Sequence, residues 1–157
     1  DVSRDKIKSD VEEKFLLYFT RFLDFQISYF SRMKTLLDIE STFILLLCTL
    51  NTTSQIKKKG DPITSKEIFA KLHSFNNTYG LNATSISEIT KVPRTTVLRK
   101  ISYLEKKGIL KKDKYKRYSS EYFIKSNDTK KMLSVMDNNI KLLGTFFSQC
   151  LETYSSS

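Results

Sequence analysis

The chain has 157 residues, of which 39% are hydrophobic and 28% are charged, and its formal net charge is +10. This composition excludes an intrinsically disordered chain, and the scarcity of Gly (four) and Pro (two) favours long helices over a strand-rich sandwich. The longest apolar run, residues 43–50, is far shorter than a membrane span of ~20 residues, and no leader sequence is recognisable, so we expect a cytoplasmic protein without a membrane partner unless a segment before Asp1 carries a targeting signal.

The first half of the chain predicts three helices. Residues 11–37 have the apolar spacing of one long helix, and residues 38–50 predict a second helix. The apolar stripe of the first helix is so broad that the helix must be covered on more than one side. Residues 51–62 then form a polar connection, and residues 64–75 predict a third helix.

Shorter elements follow. We predict a short helix over residues 85–90, a turn at residues 91–93, and a second helix over residues 94–107 that ends at Gly108.

Residues 109–110 and 122–124 are predicted as two strands around a basic loop, residues 111–121. The last predicted helix covers residues 129–154 and again has a broad apolar face.

Positive charge is concentrated in one stretch of the sequence. Twelve of the 27 basic residues lie between Lys91 and Lys125, together with only three acids, so this stretch has a local charge of +9 and the remainder contributes +1. Such a patch is typical of proteins that bind a polyanion, because contacts with phosphates release condensed counterions.

The helical phase of this charge favours duplex DNA as the polyanion. Val97, Ile101 and Leu104 share one stripe of the helix 94–107 and must face the core. The opposite face carries no acid, and Arg99 can donate two hydrogen bonds to guanine. The candidate DNA-binding residues of this helix, on that face, beside it or at the helix start, are Arg94, Thr95, Thr96, Arg99, Ser102 and Tyr103.

The basic loop supplies a second set of candidates. Lys114, Lys116 and Arg117 alternate with aromatic residues and can contact phosphates or enter the minor groove. By itself, the loop is equally consistent with a solvated turn, and the basic helix beside it favours DNA contact.

Residues 85–110 resemble the winged helix-turn-helix of bacterial transcriptional regulators, and residues 96–110 are especially similar to the MarR family. The resemblance implies a mainly α fold with a small β-hairpin wing, and long N- and C-terminal helices that form a homodimer. It implies N-terminal dimerisation helices in residues 1–50, a DNA-binding region in 84–125, and a C-terminal dimerisation helix in 126–157. The residue pattern itself places a connecting loop and an extra helix in 51–83.

The chain departs from that family in two places. An extra segment, residues 57–82, precedes the motif, and the wing has Asp113 followed by Lys114, Lys116 and Arg117 instead of the usual Asp-x-Arg. Two alternatives to a complete regulator stay open: the DNA-binding end of a larger sensor protein, and a winged helix that binds a protein partner.

The resemblance also implies a small-molecule effector held near the dimer helices. Phe22, Phe25, Tyr29 and Phe30 are candidates to line such a cavity, although core and dimer packing explains them more simply.

The sequence does not support catalysis. It contains neither a Gly-rich phosphate loop nor a nucleophile elbow. A single histidine, His73, and two distant cysteines, Cys48 and Cys150, do not form a metal-binding pattern. We therefore expect a protein that is not an enzyme and needs neither a metal nor a cofactor.

Overall fold

The structure is a computed structural model of the chain and describes residues 2–57, 80–120 and 127–156. These residues are mostly helical and include one antiparallel pair of strands, which confirms the predicted mainly α fold with a small β-hairpin. They divide into two compact units, residues 1–35 with 134–157, and residues 36–133. Among the described residues, no helix combines the length and the hydropathy that a membrane span requires.

The first unit begins with two helices, α1 (Arg4–Glu13) and α2 (Phe15–Met33), where the sequence predicted one helix over residues 11–37. Helix α1 starts earlier than predicted because the Ser3 side chain caps it by accepting a hydrogen bond from the Lys6 N–H at 3.3 Å. The helices are separated at Lys14, whose backbone leaves the helical conformation (φ −108°, ψ 30°).

The last helix, α6 (Asn127–Ser155), packs antiparallel to α2 within this unit. The Lys14 ammonium donates to the Thr153 carbonyl at 2.9 Å, and the Arg32 guanidinium donates to the Asn138 carbonyl at 2.8 Å. Between these contacts, the rings of Phe25 and Phe146 lie 5.0 Å apart. The partner number on α6 falls as the number on α2 rises, so the two helices run in opposite directions.

The second unit is built on α3 (Ile39–Lys57). The Asp38 carboxylate caps this helix, because it accepts hydrogen bonds from the N–H and the hydroxyl of Ser41, both at 3.0 Å. Ile44, Leu45 and Cys48 are almost completely buried on one stripe of the helix.

Helix α3 is longer than predicted, since residues 51–57 were expected to belong to a polar connection. Thr52 is buried, and its hydroxyl donates to the Cys48 carbonyl at 2.8 Å. Thr53 donates to the Thr49 carbonyl at 3.0 Å. These internal bonds satisfy hydroxyls that would otherwise favour a turn, so the polar run continues the helix.

Two short helices, α4 (Ala83–Thr90) and α5 (Arg94–Lys106), follow in the same unit. Asn82 caps α4 by accepting a hydrogen bond from the Ser85 N–H at 2.8 Å. The turn between the helices is confirmed: Lys91 adopts the left-handed conformation (φ 60°) and the Ser87 hydroxyl donates to the Val92 carbonyl at 2.7 Å.

The predicted end of α5 at Gly108 is confirmed to within one residue. Gly108 has a φ of +69°, and the N–H of Ile109 donates to the Leu104 carbonyl at 2.9 Å. The N–H of Gly108 donates to the Glu105 carbonyl at the same distance. This pair of bonds is a Schellman motif, and the buried side chains of Leu104 and Ile109 complete it.

The hairpin consists of β1 (Leu110–Lys112) and β2 (Tyr118–Ser120), with Leu110 opposite Ser120. The predicted arrangement was wrong, because Tyr118–Ser120 had been placed inside the loop 111–121. All three residues of β2 are buried, and Leu81 forms a bridge to Tyr118 on its other edge. Gly80 allows this approach, since a Cβ there would lie 2.9 Å from Arg117 and Tyr118 atoms.

Several predictions lie outside the described residues. These are the loop at residues 58–62, the helix at residues 64–75 and the strand at residues 122–124.

Candidate nucleic-acid interface

Helix α5 separates its core face from its outward face as the sequence predicted. Val97, Ile101 and Leu104 are at most 1% exposed. Arg99 lies on the opposite side of the helix and is exposed. Arg99 therefore lies on the face of α5 that is directed away from the core of this unit.

The other helical candidates surround Arg99. Arg94, Thr95, Ser102 and Tyr103 are exposed, whereas Thr96 is half-buried. Arg94 lies at the start of the helix, and its Nε is 3.4 Å from the Thr84 hydroxyl of α4, a long hydrogen bond. The Tyr103 ring has the Lys107 ammonium 5.2 Å from its centroid.

Lys100 belongs to the same helix but its ammonium is used inside the unit. It lies 2.9 Å from the Asp38 carboxylate and 3.4 Å from that of Glu40, at the start of α3. Burial opposes ionisation of Asp38, but the bonds from Ser41 and Lys100 outweigh it and lower its pKa to about 2. The bond from Asp38 also raises the pKa of Lys100. This ion pair fixes α5 against α3.

The hairpin tip is organised by Asp113. Its carboxylate accepts hydrogen bonds from the N–H of Tyr115 at 2.8 Å, and from the N–H and Nε of Arg117 at 2.9 and 2.7 Å. Burial works against these bonds, yet they lower the pKa of Asp113 below its ordinary value. Lys116 adopts a φ of 57°, which allows a three-residue tip between Asp113 and Arg117.

The three candidate DNA-binding residues of the hairpin tip differ in exposure and in contacts. Lys114 and Lys116 are exposed, as a role in phosphate contact requires. Arg117 is half-buried, with its Nε directed to Asp113 and its guanidinium carbon 4.9 Å from the centroid of the Tyr115 ring. Arg117 is thus held within the hairpin.

Tyr115, which is 64% exposed at the tip, was not among the predicted site residues. An acid at the first position of a turn, followed by an arginine four residues later, was the available signal, because Asp at this position accepts the N–H groups that follow it.

Basic residues outnumber acids in this region, and the excess positive charge lies on its exposed surface. Residues 80–120 contain eleven Lys and Arg and three acids. Glu105 lies 4.0 Å from the Lys112 ammonium, and Asp113 is bound to Arg117. The third acid, Glu88, is exposed on α4. The outward face of α5 and the tip residues 114–116 therefore carry positive charge without an acid among them.

Three of the four aromatic residues proposed to line an effector cavity are linked by ring contacts: Phe25 stacks on Tyr29 with centroids 6.3 Å apart, and Tyr29 lies edge to face with Phe30. Phe30 borders an open groove in the first unit together with Gln26, Ile27, Ser31 and Lys34. Phe25 also packs against Phe146 of the last helix. Packing within the unit therefore accounts for Phe25 and Tyr29.

Within the part of the chain that the structure describes, no three His, Cys, Asp or Glu side chains gather into a group that could hold a metal ion. Comparison with known proteins adds no relative: no protein-family model, no curated protein and no solved structure matches the chain.

Proposed function

We propose that the protein is a homodimeric transcriptional regulator of the MarR-like winged helix-turn-helix type that binds specific sequences in double-stranded DNA. One observation carries this proposal. The face of α5 opposite the buried Val97, Ile101 and Leu104 presents basic and hydroxyl side chains without an acid, and a hairpin with a basic tip follows it in the same unit.

In this proposal, α5 enters the major groove. Arg99 reads a guanine, and Arg94, Thr95 and Thr96 approach bases or phosphates from the start of the helix. Ser102 and Tyr103 donate to the backbone further along the groove. Lys114 and Lys116 contact phosphates from the hairpin, so that they strengthen binding to every sequence alike.

The homodimer is proposed from apolar side chains in the first unit. Phe25 on α2 packs against α6, yet other large apolar side chains on both helices are at least 40% exposed. On α2 they are Phe15, Leu16, Leu17, Phe19, Phe22, Leu23 and Ile27. On α6 they are Ile140, Leu143, Phe147 and Leu151. Their spacing on α6 is that of one helical stripe, and a second copy of the chain is the simplest partner to cover it.

A winged helix that binds protein would present an apolar patch on α5. The large apolar side chains exposed there are Leu98 at 37% and Tyr103 at 40%. They are five positions apart, which places them about 140° apart around the helix, so they do not form one patch. This mixed surface favours DNA over an apolar protein partner.

Selection of bound duplexes from a random pool at two salt concentrations tests the proposal. We expect enrichment of a pseudo-palindromic sequence with half-sites about 34 Å apart, or a multiple of that spacing. Arg99→Ala should relax base preference at one position per half-site, at a cost of ~1–3 kcal/mol. Lys116→Ala should weaken all sequences alike and reduce the salt slope by about 0.9 for each protomer of the dimer.

Lys141→Ala is the matched control, because it removes one exposed positive charge from the first unit. It should leave both the sequence profile and the salt slope unchanged. If no sequence is enriched, or if Arg99→Ala and Lys116→Ala give the same profile, the proposed roles are wrong.

A further inference from the structure

The tip of the hairpin carries an exposed aromatic side chain. A solvent-exposed turn needs polar side chains, and it does not need an aromatic one. Tyr115 lies at the centre of the three-residue tip and is 64% exposed. The Lys114 ammonium lies 4.9 Å from its ring centroid, and the Arg117 guanidinium carbon lies at the same distance. A flat ring with two cations close to it is suited to a surface that is both apolar and anionic.

The backbone of the tip is fixed in the conformation that exposes this ring. Two N–H groups, those of Tyr115 and Arg117, are held by the carboxylate of Asp113. Lys116 adopts a left-handed conformation that costs free energy for any residue with a Cβ. A strained position that the surrounding bonds maintain points to a function for the residues that it orients.

The side chain of Arg117 contacts other residues of the hairpin tip. Its Nε donates to Asp113 at 2.7 Å, and its guanidinium lies close to the Tyr115 ring. The side chain of Arg117 is 30% exposed, less than that of Lys112 in the adjacent strand at 48%. An extended arginine inserted into a groove would have to give up both contacts.

We propose that Tyr115 contacts the sugar-phosphate backbone of duplex DNA from the hairpin tip, together with the two lysines, and that Arg117 is a positioning residue that holds its ring. The ring packs on deoxyribose, and the phenol hydroxyl donates a hydrogen bond to a phosphate oxygen. Lys114 and Lys116 on either side supply the charge for the neighbouring phosphates. This inference rests on the proposed DNA-binding function and replaces Arg117 by Tyr115 as the contact residue of the wing.

The test compares dissociation constants for the enriched duplex over a range of salt concentrations. Tyr115→Phe removes only the hydroxyl and should weaken binding about threefold to tenfold at an unchanged salt slope, because the phenol is neutral. Tyr115→Ala should weaken binding by about tenfold or more. A photocrosslinking side chain placed at position 115 should form a covalent adduct with the duplex, whereas the same side chain at the exposed position 8 of α1 should not.

Arg117 is tested by the conservative variant. Arg117→Lys keeps the charge but lacks the Nε donor that binds Asp113, so it should weaken binding about as much as Tyr115→Ala while the salt slope stays constant. If Arg117 itself contacted a phosphate, Arg117→Lys would bind almost like the wild type and Arg117→Gln would lower the slope by about 0.9 for each protomer. Circular dichroism and the thermal midpoint verify that each variant is folded.

The outcomes separate the two proposals. A wild-type protein that binds no duplex overturns both. A wild type that binds a specific duplex, together with a Tyr115→Ala variant of equal affinity and no adduct at position 115, overturns only the role of Tyr115. An Arg117→Lys variant with wild-type affinity overturns the positioning role of Arg117.

Discussion

The variant Lys100→Met tests whether Lys100 of α5 stabilises the fold, in contrast to the exposed basic residues of the same helix. The Lys100 side chain is 16% exposed, and its ammonium binds Asp38 and Glu40. Methionine keeps the apolar stem and a high helix propensity but removes the charge. We therefore expect this variant to lose stability and to keep the salt dependence of DNA binding.

The size of the loss follows from the pKa of Asp38. A fall from 3.8 to about 2 corresponds to about 2.5 kcal/mol if every interaction acted at full strength. The Asp38 side chain is 47% exposed, so solvent screening reduces this figure, and the bonds from Ser41 remain in the variant. The share of Lys100 is then about 1 kcal/mol, or a decrease of roughly 2–4 °C in the thermal midpoint of a chain of this length.

The pH dependence of this loss of stability tests whether Asp38 is the partner of Lys100. The folded state lowers the pKa of Asp38, so its contribution is complete above about pH 4 and is lost as the pH falls towards 2. The difference in unfolding free energy between the wild type and Lys100→Met should therefore shrink between pH 4 and pH 2. Urea titrations at fixed pH values measure it.

Arg99→Ala is the matched control on the adjacent, exposed position of α5. It should change the unfolding free energy by less than about 0.5 kcal/mol and lower the affinity for DNA. The structural role of Lys100 is excluded if Lys100→Met leaves stability intact and reduces the salt slope by about 0.9 for each protomer, since the ammonium would then contact a phosphate.

Three further predictions concern the core, Gly108 and the first unit. Ile101→Ala should cost about 2–5 kcal/mol in chemical denaturation, because the side chain is 1% exposed. Gly108→Ala should destabilise the protein by about 1 kcal/mol, since its φ is +69°; the added Cβ meets no atom within 4 Å, so backbone conformation decides the sign, and a thermal midpoint equal to or above that of the wild type would contradict this explanation. Phe19→Asp should convert the proposed dimer to a monomer in sedimentation velocity, and Lys141→Asp should not; a Phe19→Asp dimer would exclude this face from the interface.

Regular periodicity was sufficient to predict α5 and its ends. The spacing of Val97, Ile101 and Leu104 specifies one buried stripe, and Gly108 ends the helix whatever it packs against. The exposure of Arg99 follows from the same geometry. For these residues the local pattern and the packing agree, so the sequence sufficed.

The hairpin was predicted in kind but not in register. Tyr118, Ser119 and Ser120 look like loop residues, yet they are buried because Leu81 and β1 lie on the two edges of β2. A partner from another part of the chain decides this burial, and a local polarity pattern does not contain it.

Composition and helical periodicity are enough to predict a mainly helical chain, the concentration of positive charge in one region, and the face of α5 on which Arg99 is exposed. Packing between distant parts of the chain then selects which basic side chains stay exposed. Lys100 pairs with Asp38 and Glu40, Arg117 pairs with Asp113, and Tyr115 is exposed at the tip. A long basic side chain pairs with whichever carboxylate folding brings within reach, and sequence spacing does not set that distance for residues as far apart as Asp38 and Lys100.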